Sequence, residues 1–304
     1  LKAPYDEDHD PAAVNVWAAS NIYFKPDVDG GAVGSLTFAE SKAGGTIGKK
    51  EGYQGVYFKW GSLIGVSAAA DDSDFENTDY LFIPDITTGK YYKVAVGDVG
   101  GSNIRAVKDF RESSAVTALG GWNGSGGSAT WGVIPYVADS DIPDVTDNRY
   151  NSLLTDYSSS LRTSYKGDIC RYLSVTKSTS GSGLSGKNNW KMPVSYMFGE
   201  YTEYGDDTIA SSTGITENGT NTIISKKYTY NNETVYFPFS GYRDIYTGRL
   251  YLDDYVFFAG LYWSSSVFGS KAYELQISDE YFGIINPNDQ IDRPYGGSVR
   301  CVRE

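Results

Sequence analysis

The chain holds one histidine, His9, in the stretch Tyr5-Asp6-Glu7-Asp8-His9-Asp10-Pro11. Beside Asp8 and Asp10 it offers the start of a metal set, but the polar surroundings read as a solvated tail. A single histidine there leaves a serine or cysteine nucleophile without its usual base, and a histidine-based metal site without ligands. No glycine-rich phosphate loop follows a strand. The other oxygen cluster is acidic. Asp71, Asp72, Asp74, Glu76 and Asp79 offer the hard oxygens that calcium takes, yet their spacing is not that of the Asp-x-Asp-x-Asp-Gly loop. The segment reads as an acidic loop facing water. Paired carboxylates could still cleave a glycoside, but 38 acidic residues make any chosen pair uninformative. No cofactor is expected, with calcium the alternative considered.

Those groups must be carried by a chain of strands and loops. It has 304 residues, with 26 Tyr and 35 Gly against 2 Met, which favours strands, turns and long loops over helices. The tyrosines also suit an extracellular binding surface, because each offers a stiff, amphipathic face, or they fill half-buried strand faces. A net charge of -12 argues against nucleic acid as a partner. The longest apolar run, near Tyr255 to Trp263, is too short to span a bilayer. The chain begins at Leu1 without a leader-like segment and reads as a mature or trimmed fragment. Cys170 and Cys301 are the only cysteines. Either they join, closing a loop worth up to about 4–5 kcal/mol, or they are two free buried thiols; the exported composition favours the bridge.

In chain order, residues 1–13 read as a tail or linker and 14–304 as one elaborated domain. Val16, Trp17, Ile22, Tyr23 and Phe24 open the strand-like part, and Asp27 to Gly31 is a turn. Leu36-Thr37-Phe38 and Tyr80 to Pro84 read as short strands, Gly55 to Val66 as a buried strand, and Trp131 to Val137 as strand-like. Residues 67–150 read as elaboration on a core, not a separate domain, without a continuous set of apolar strands of their own. Helical spacing occurs at Leu153, Leu154 and Tyr157, at Ile169, Cys170 and Leu173 behind Asp168, and over Ser195 to Tyr204, with Pro193 suited to a first turn. Residues 205–234 read as loop, ending in Tyr228-Thr229-Tyr230 and a turn at Asn231-Asn232.

Several blocks in order carry a resemblance: Cys170, Trp190-Lys191-Met192-Pro193, Pro238-Phe239-Ser240-Gly241-Tyr242-Arg243, Tyr262-Trp263-Ser264-Ser265 and Ser298-Val299-Arg300-Cys301-Val302. Together they resemble the FISUMP domain, the Fibrobacter succinogenes major paralogous domain of exported Bacteroidetes proteins. Residues 165–304 carry most of it, and Tyr57 to Ser62 is similar to segments upstream in the family. A Ser/Gly-rich insert between Cys170 and Trp190, and Met197 where the family often has an acid, depart from the pattern. The resemblance implies an α+β, C-type-lectin-like fold: two helices on a small, twisted, mostly antiparallel sheet, here with long loop and strand elaborations. It implies a Cys170–Cys301 disulfide between helix and last strand, and structural roles for Trp190, Pro193, Gly241, Tyr242, Arg243, Tyr262, Trp263 and Arg300. Enzymes of that fold use a reactive cysteine pair or a histidine set, whereas these cysteines match the structural positions. The Glu-Pro-Asn and Trp-Asn-Asp motifs of calcium-dependent lectins are absent.

The resulting expectation is a non-enzymatic, exported cell-surface binding module, adhesin-like, set at a pilus tip or on a lipoprotein stalk. Its partner would be a host or microbial glycan or a protein. The lectin-like fold commonly presents ligand contacts before its last strand. There Tyr281, Asn286, Asn288, Asp289, Gln290, Asp292, Arg293 and Tyr295 mix aromatic faces with planar polar groups, although each also fits an ordinary solvated loop. The alternatives are a structural pilus or stalk subunit that adds strands to neighbours, and a polysaccharide-acting enzyme.

Overall fold

The computed structural model describes residues 16–38, 55–68, 75, 79–97, 105–122, 131–142, 159–177, 190–195, 197–198, 206–216, 219–230, 233–251, 260–277, 282–284 and 291–303. It is α+β with strands dominant. No described helix is long and apolar enough to cross a membrane.

Strands β1 (Val16–Trp17), β2 (Tyr23–Pro26), β3 (Val33–Thr37), β4 (Gly65–Val66), β5 (Tyr80–Pro84) and β6 (Tyr91–Ala95) come first. The last five form one antiparallel sheet in the order β2-β3-β6-β5-β4. Successive side chains of a strand point to opposite faces, and β5 uses both. Phe82 joins a core with Phe24, Leu36, Phe38 and Tyr91. Its neighbours Leu81 and Ile83 join a second core with Val94. Burying each such side chain stabilises by about 1.5–3 kcal/mol.

Helices close the two faces. The second core is capped by α1 (Arg105–Arg111), through Ala106, Val107 and Phe110, and by Val116 of α2 (Ser114–Ala118). The first core receives Ile169, Cys170, Tyr172 and Leu173 of α4 (Ile169–Lys177), which follows α3 (Ser159–Thr163). Asp168 starts α4 as its sequence position suggests: Oδ1 accepts the Cys170 and Arg171 N–H groups at 2.8 and 3.1 Å. Its Oδ2 accepts the Met192 N–H at 3.0 Å and so ties the helix to the following segment. Burial pushes this carboxyl up to about 6, against the pull of those N–H donors and of Arg171.

The remaining strands are β7 (Trp190–Lys191), β8 (Asp206–Thr216), β9 (Gly219–Tyr230), β10 (Glu233–Pro238), β11 (Tyr242–Arg243), β12 (Leu250–Tyr251), β13 (Gly260–Phe268), β14 (Lys271–Ile277), β15 (Phe282–Ile284), β16 (Ile291–Asp292) and β17 (Val302–Arg303). β14 pairs antiparallel with β13, β15 and β16, and a bulge between Trp263 and Val267 curls this sheet. β17 lies between β1 and β7, which brings the two ends of the described chain together. The Cys170–Cys301 disulfide joins α4 to the residue before β17, with Cα atoms 5.7 Å apart. The segment leading to it runs tight against β13: a Cβ on Gly297 would meet the Leu261 and Trp263 side chains.

Several expectations change. Gly55 to Val66 is not one strand. It reverses at Trp60-Gly61, where Gly61 takes φ +70°, and Tyr57 bonds back to Val66; the apolar run reflects burial, not extension. Trp131 to Val133 forms a helical turn, the Ile134 N–H meeting the Trp131 carbonyl at 3.2 Å. The two described strands of residues 67–150, β5 and β6, pair into one sheet with β2, β3 and β4. The described residues within 205–234 are not loop. β8, β9 and the start of β10 form an antiparallel ladder that pairs their backbone groups, while the turn expected at Asn231-Asn232 lies outside the described residues. A helical turn begins at Ser195, but its continuation towards Tyr204, like Leu153, Leu154 and Tyr157, lies outside the described residues.

One buried cation sets a pH response. Lys59 is 2% exposed, donates to the Trp131 carbonyl at 2.7 Å and lies over the Trp131 ring at 4.8 Å. Burial lowers its ammonium from 10.5 to about 7. The unfolded chain therefore binds the extra proton above about pH 7, and stability rises with pH from there towards the unfolded value, by up to about 1.4 kcal/mol per pH unit. Urea unfolding across that window is expected to show the rise. Lys59→Met is expected to flatten it, and a slope unchanged in that variant would refute the assignment.

Candidate functional site

The site is built on the turn between β11 and β12. Asp244 organises it: Oδ1 accepts the N–H groups of Tyr246 at 3.0 Å and Gly248 at 3.2 Å, and the Thr247 hydroxyl at 2.7 Å. Gly248 takes φ +70°, which a Cβ would strain and drive into the Trp131 ring. The locked turn presents Tyr246 at its tip, 75% exposed.

Two strand partners flank it. Tyr242 and Tyr251 are paired across β11 and β12, with rings 5.4 Å apart and nearly parallel. Tyr295 extends the row, its ring 6.0 Å from that of Tyr242. The Arg249 guanidinium lies 5.1 Å over Tyr251. Burial first, then the charges of Asp244 and Asp292, raises the Tyr295 phenol, so it stays a neutral donor. The result is a ledge of four tyrosines with two carboxylates and one guanidinium at its edges. Such a surface can stack on an apolar ring face and bond planar or hydroxylated groups beside it.

The residues expected to bind ligand are divided. Tyr295 and the exposed Asp292 stand at the ledge. Tyr281, Asn286, Asn288, Asp289 and Gln290 lie outside the described residues. Arg293 is 1% exposed and turned inward. Its guanidinium donates to the carbonyls of Gly269 at 2.5 Å and Val137 at 3.3 Å, pairs with Asp139 at 3.2 Å and sits 4.7 Å over the Trp60 ring. It anchors its segment and is not offered to a ligand, because it is buried with its donors engaged by these partners.

The motif residues lie within the protein. Trp190 and Trp263 are buried, and the Trp263 indole donates to the Phe58 carbonyl at 2.7 Å. The Pro193 carbonyl accepts the Ser265 N–H at 2.7 Å. Gly241, at φ +70°, bridges Gly260. The Tyr262 phenol donates to the Pro238 carbonyl at 2.6 Å. Arg300 donates to Asn21 Oδ1 and to the carbonyls of Ala18 and Tyr236 at 2.8–3.0 Å, and burial lowers it to about 10. Arg243 pairs with Asp79 at 2.7 Å. Asp79 therefore serves an internal ion pair and is withdrawn from the acidic calcium set; Asp71, Asp72, Asp74 and Glu76 lie outside the described residues, as does His9. Among the described residues no three His, Cys, Asp or Glu side chains gather to hold a metal. Tyr242 has a second face, since its half-buried ring belongs to the ledge.

Comparison of the chain with family models, with curated proteins and with solved structures yields no match in any of the three. The ledge therefore rests on its own geometry. Tyr246 and Tyr251 were not singled out by sequence. The one signal available was Asp244-x-Tyr246-Thr247-Gly248, an acid and a glycine placed to close a turn and lift an aromatic outward.

Proposed function

We propose that this chain is a non-enzymatic, exported surface module of C-type-lectin-like fold, related to the FISUMP domain, that binds a glycan on the tyrosine ledge. The half-buried row of Tyr242, Tyr251 and Tyr295, with Tyr246 exposed at the turn tip and Asp244 and Asp292 beside it, carries the reading. Stacked phenol faces suit the apolar face of a sugar ring, and the flanking carboxylates suit its hydroxyls. The disulfide fits an oxidising compartment outside the cytosol. An adhesin-like role at a pilus tip or stalk agrees with both. The alternative of a strand-exchanging structural subunit fits less well, since β17 is held between β1 and β7 and tied by Cys301 next to it.

Binding to immobilised glycans without turnover is the expected result. Tyr246→Ala, at an exposed tip, is expected to leave the fold intact and weaken binding about tenfold or more, ~1.4 kcal/mol. Binding to proteins in place of glycans would overturn the ligand class. Hydrolysis abolished by a single carboxylate change would overturn the non-enzymatic reading in favour of the polysaccharide-acting one.

A further inference from the structure

A cavity of about 210 Å³ opens between the end of β5, the end of α1 with the start of α2, and the end of α3. It shares no residue with the tyrosine ledge. Its charged lining is one-signed: Asp85 and Asp109 are acidic, and no Lys, Arg or His lines it. Its other polar side chains are hydroxyls, including Ser114, Thr163, Ser164 and the phenol of Tyr165.

The walls are held in place. Asp85 follows β5, and its Oδ1 accepts the N–H groups of Thr87 and Thr88 at 2.9 and 3.3 Å. Burial alone would raise its carboxyl. The Thr87 and Thr88 bonds and the Arg105 charge outweigh that and hold it below the ordinary value, so it is a fixed anion. Asp109 is more open and meets Arg105 along the exposed face of α1, Nε to Oδ2 at 3.5 Å.

Tyr165 is the one non-glycine residue with positive φ among the described residues, at +59°. For an L-residue that costs roughly 1–2 kcal/mol. The conformation is enforced on both sides: its N–H donates to the Arg162 carbonyl and its own carbonyl accepts the Leu63 N–H. Its ring meets Phe110 edge-on at 5.6 Å. Burial, then Asp109, then Asp85, push the phenol up to about 12, so it faces the cavity region as a neutral donor beside two anions.

We propose that this cavity is a binding site for a small hydroxylated amine in its protonated form, an amino sugar. Carboxylates bond an ammonium more strongly than a neutral hydroxyl, and Asp85 and Asp109 both act on the same phenol. The Ser114 hydroxyl both donates and accepts, which matches the mixed hydroxyls of a sugar ring. A volume of about 210 Å³ has room for one sugar ring. An acidic sugar would meet two like charges.

Glucosamine, N-acetylglucosamine, glucose and glucuronate, titrated separately into the protein by calorimetry at mildly acidic pH, test this. Glucosamine is expected to bind, and N-acetylglucosamine, which keeps the ring but loses the charge, about tenfold or more weakly. Asp109→Asn, at an exposed position, is expected to lower glucosamine affinity about tenfold with unfolding temperature unchanged. Tyr165→Phe, which keeps the ring packing, is expected to weaken it less. Absence of glucosamine binding, equal binding of the neutral sugars, or an unchanged affinity in Asp109→Asn would each overturn the site. Tyr246→Ala separates it from the ledge: glucosamine binding is expected to persist there, and its loss would place the amine on the ledge and refute the cavity.

Discussion

Reducing the Cys170–Cys301 disulfide is expected to lower the unfolding free energy by about 4–5 kcal/mol. The two residues are 131 apart in sequence, so the crosslink removes a large loop from the unfolded ensemble. In the folded chain it joins two elements that are otherwise linked covalently only through the backbone. The α4 helix carries four side chains of the first core, and Cys301 adjoins β17, the strand between β1 and β7. Both cysteines are fully buried, so reduction must reach them through opening of that core. Urea unfolding with and without reductant, and of the double Cys170→Ala, Cys301→Ala variant, measures the loss. Midpoints that coincide would show that the bridge does not constrain the unfolded chain.

Arg243→Met is expected to cost about 3–5 kcal/mol, because it leaves the Asp79 carboxylate buried beside an apolar side chain. Arg243 is fully buried and its Nη2 meets Asp79 Oδ1 at 2.7 Å. The same guanidinium donates to the Ser67 carbonyl and, through Nη1, to the Gly248 carbonyl, both at 2.7 Å. Gly248 closes the turn that lifts Tyr246, so the variant is also expected to weaken ligand binding on the ledge. Arg243→Met with Asp79→Leu is expected to recover much of the stability, since the buried carboxylate that lost its Arg243 partner is gone. It is not expected to recover the turn, whose carbonyl still lacks its donor. Chemical unfolding of the single and double variants separates the two effects. A double variant no more stable than Arg243→Met would show that charge burial is not the cause.

What the sequence determined by itself were features encoded within a few residues. Asp168 ahead of Ile169, Cys170 and Leu173 names a capped helix, because the cap and the helical face are both local. The turn at Asp27 to Gly31 and the strand Tyr80 to Pro84 follow from glycine freedom and from a short aromatic and apolar run in the same way. The resemblance placed Cys170 against Cys301, and the structure joins them. Only the tertiary structure decided what polar residues do. Arg293 and Asp79 look like surface ligand groups by type, yet each is buried against partners far along the chain, Asp79 being 164 residues from Arg243. Tyr242, Tyr251 and Tyr295 become one ledge, and Asp85, Asp109 and Tyr165 one cavity, through distant contacts between sheets and helices. Side-chain periodicity acts over one turn or one strand. Whether a charge is exposed, paired or desolvated depends on what the rest of the chain packs against it, and no local pattern carries that.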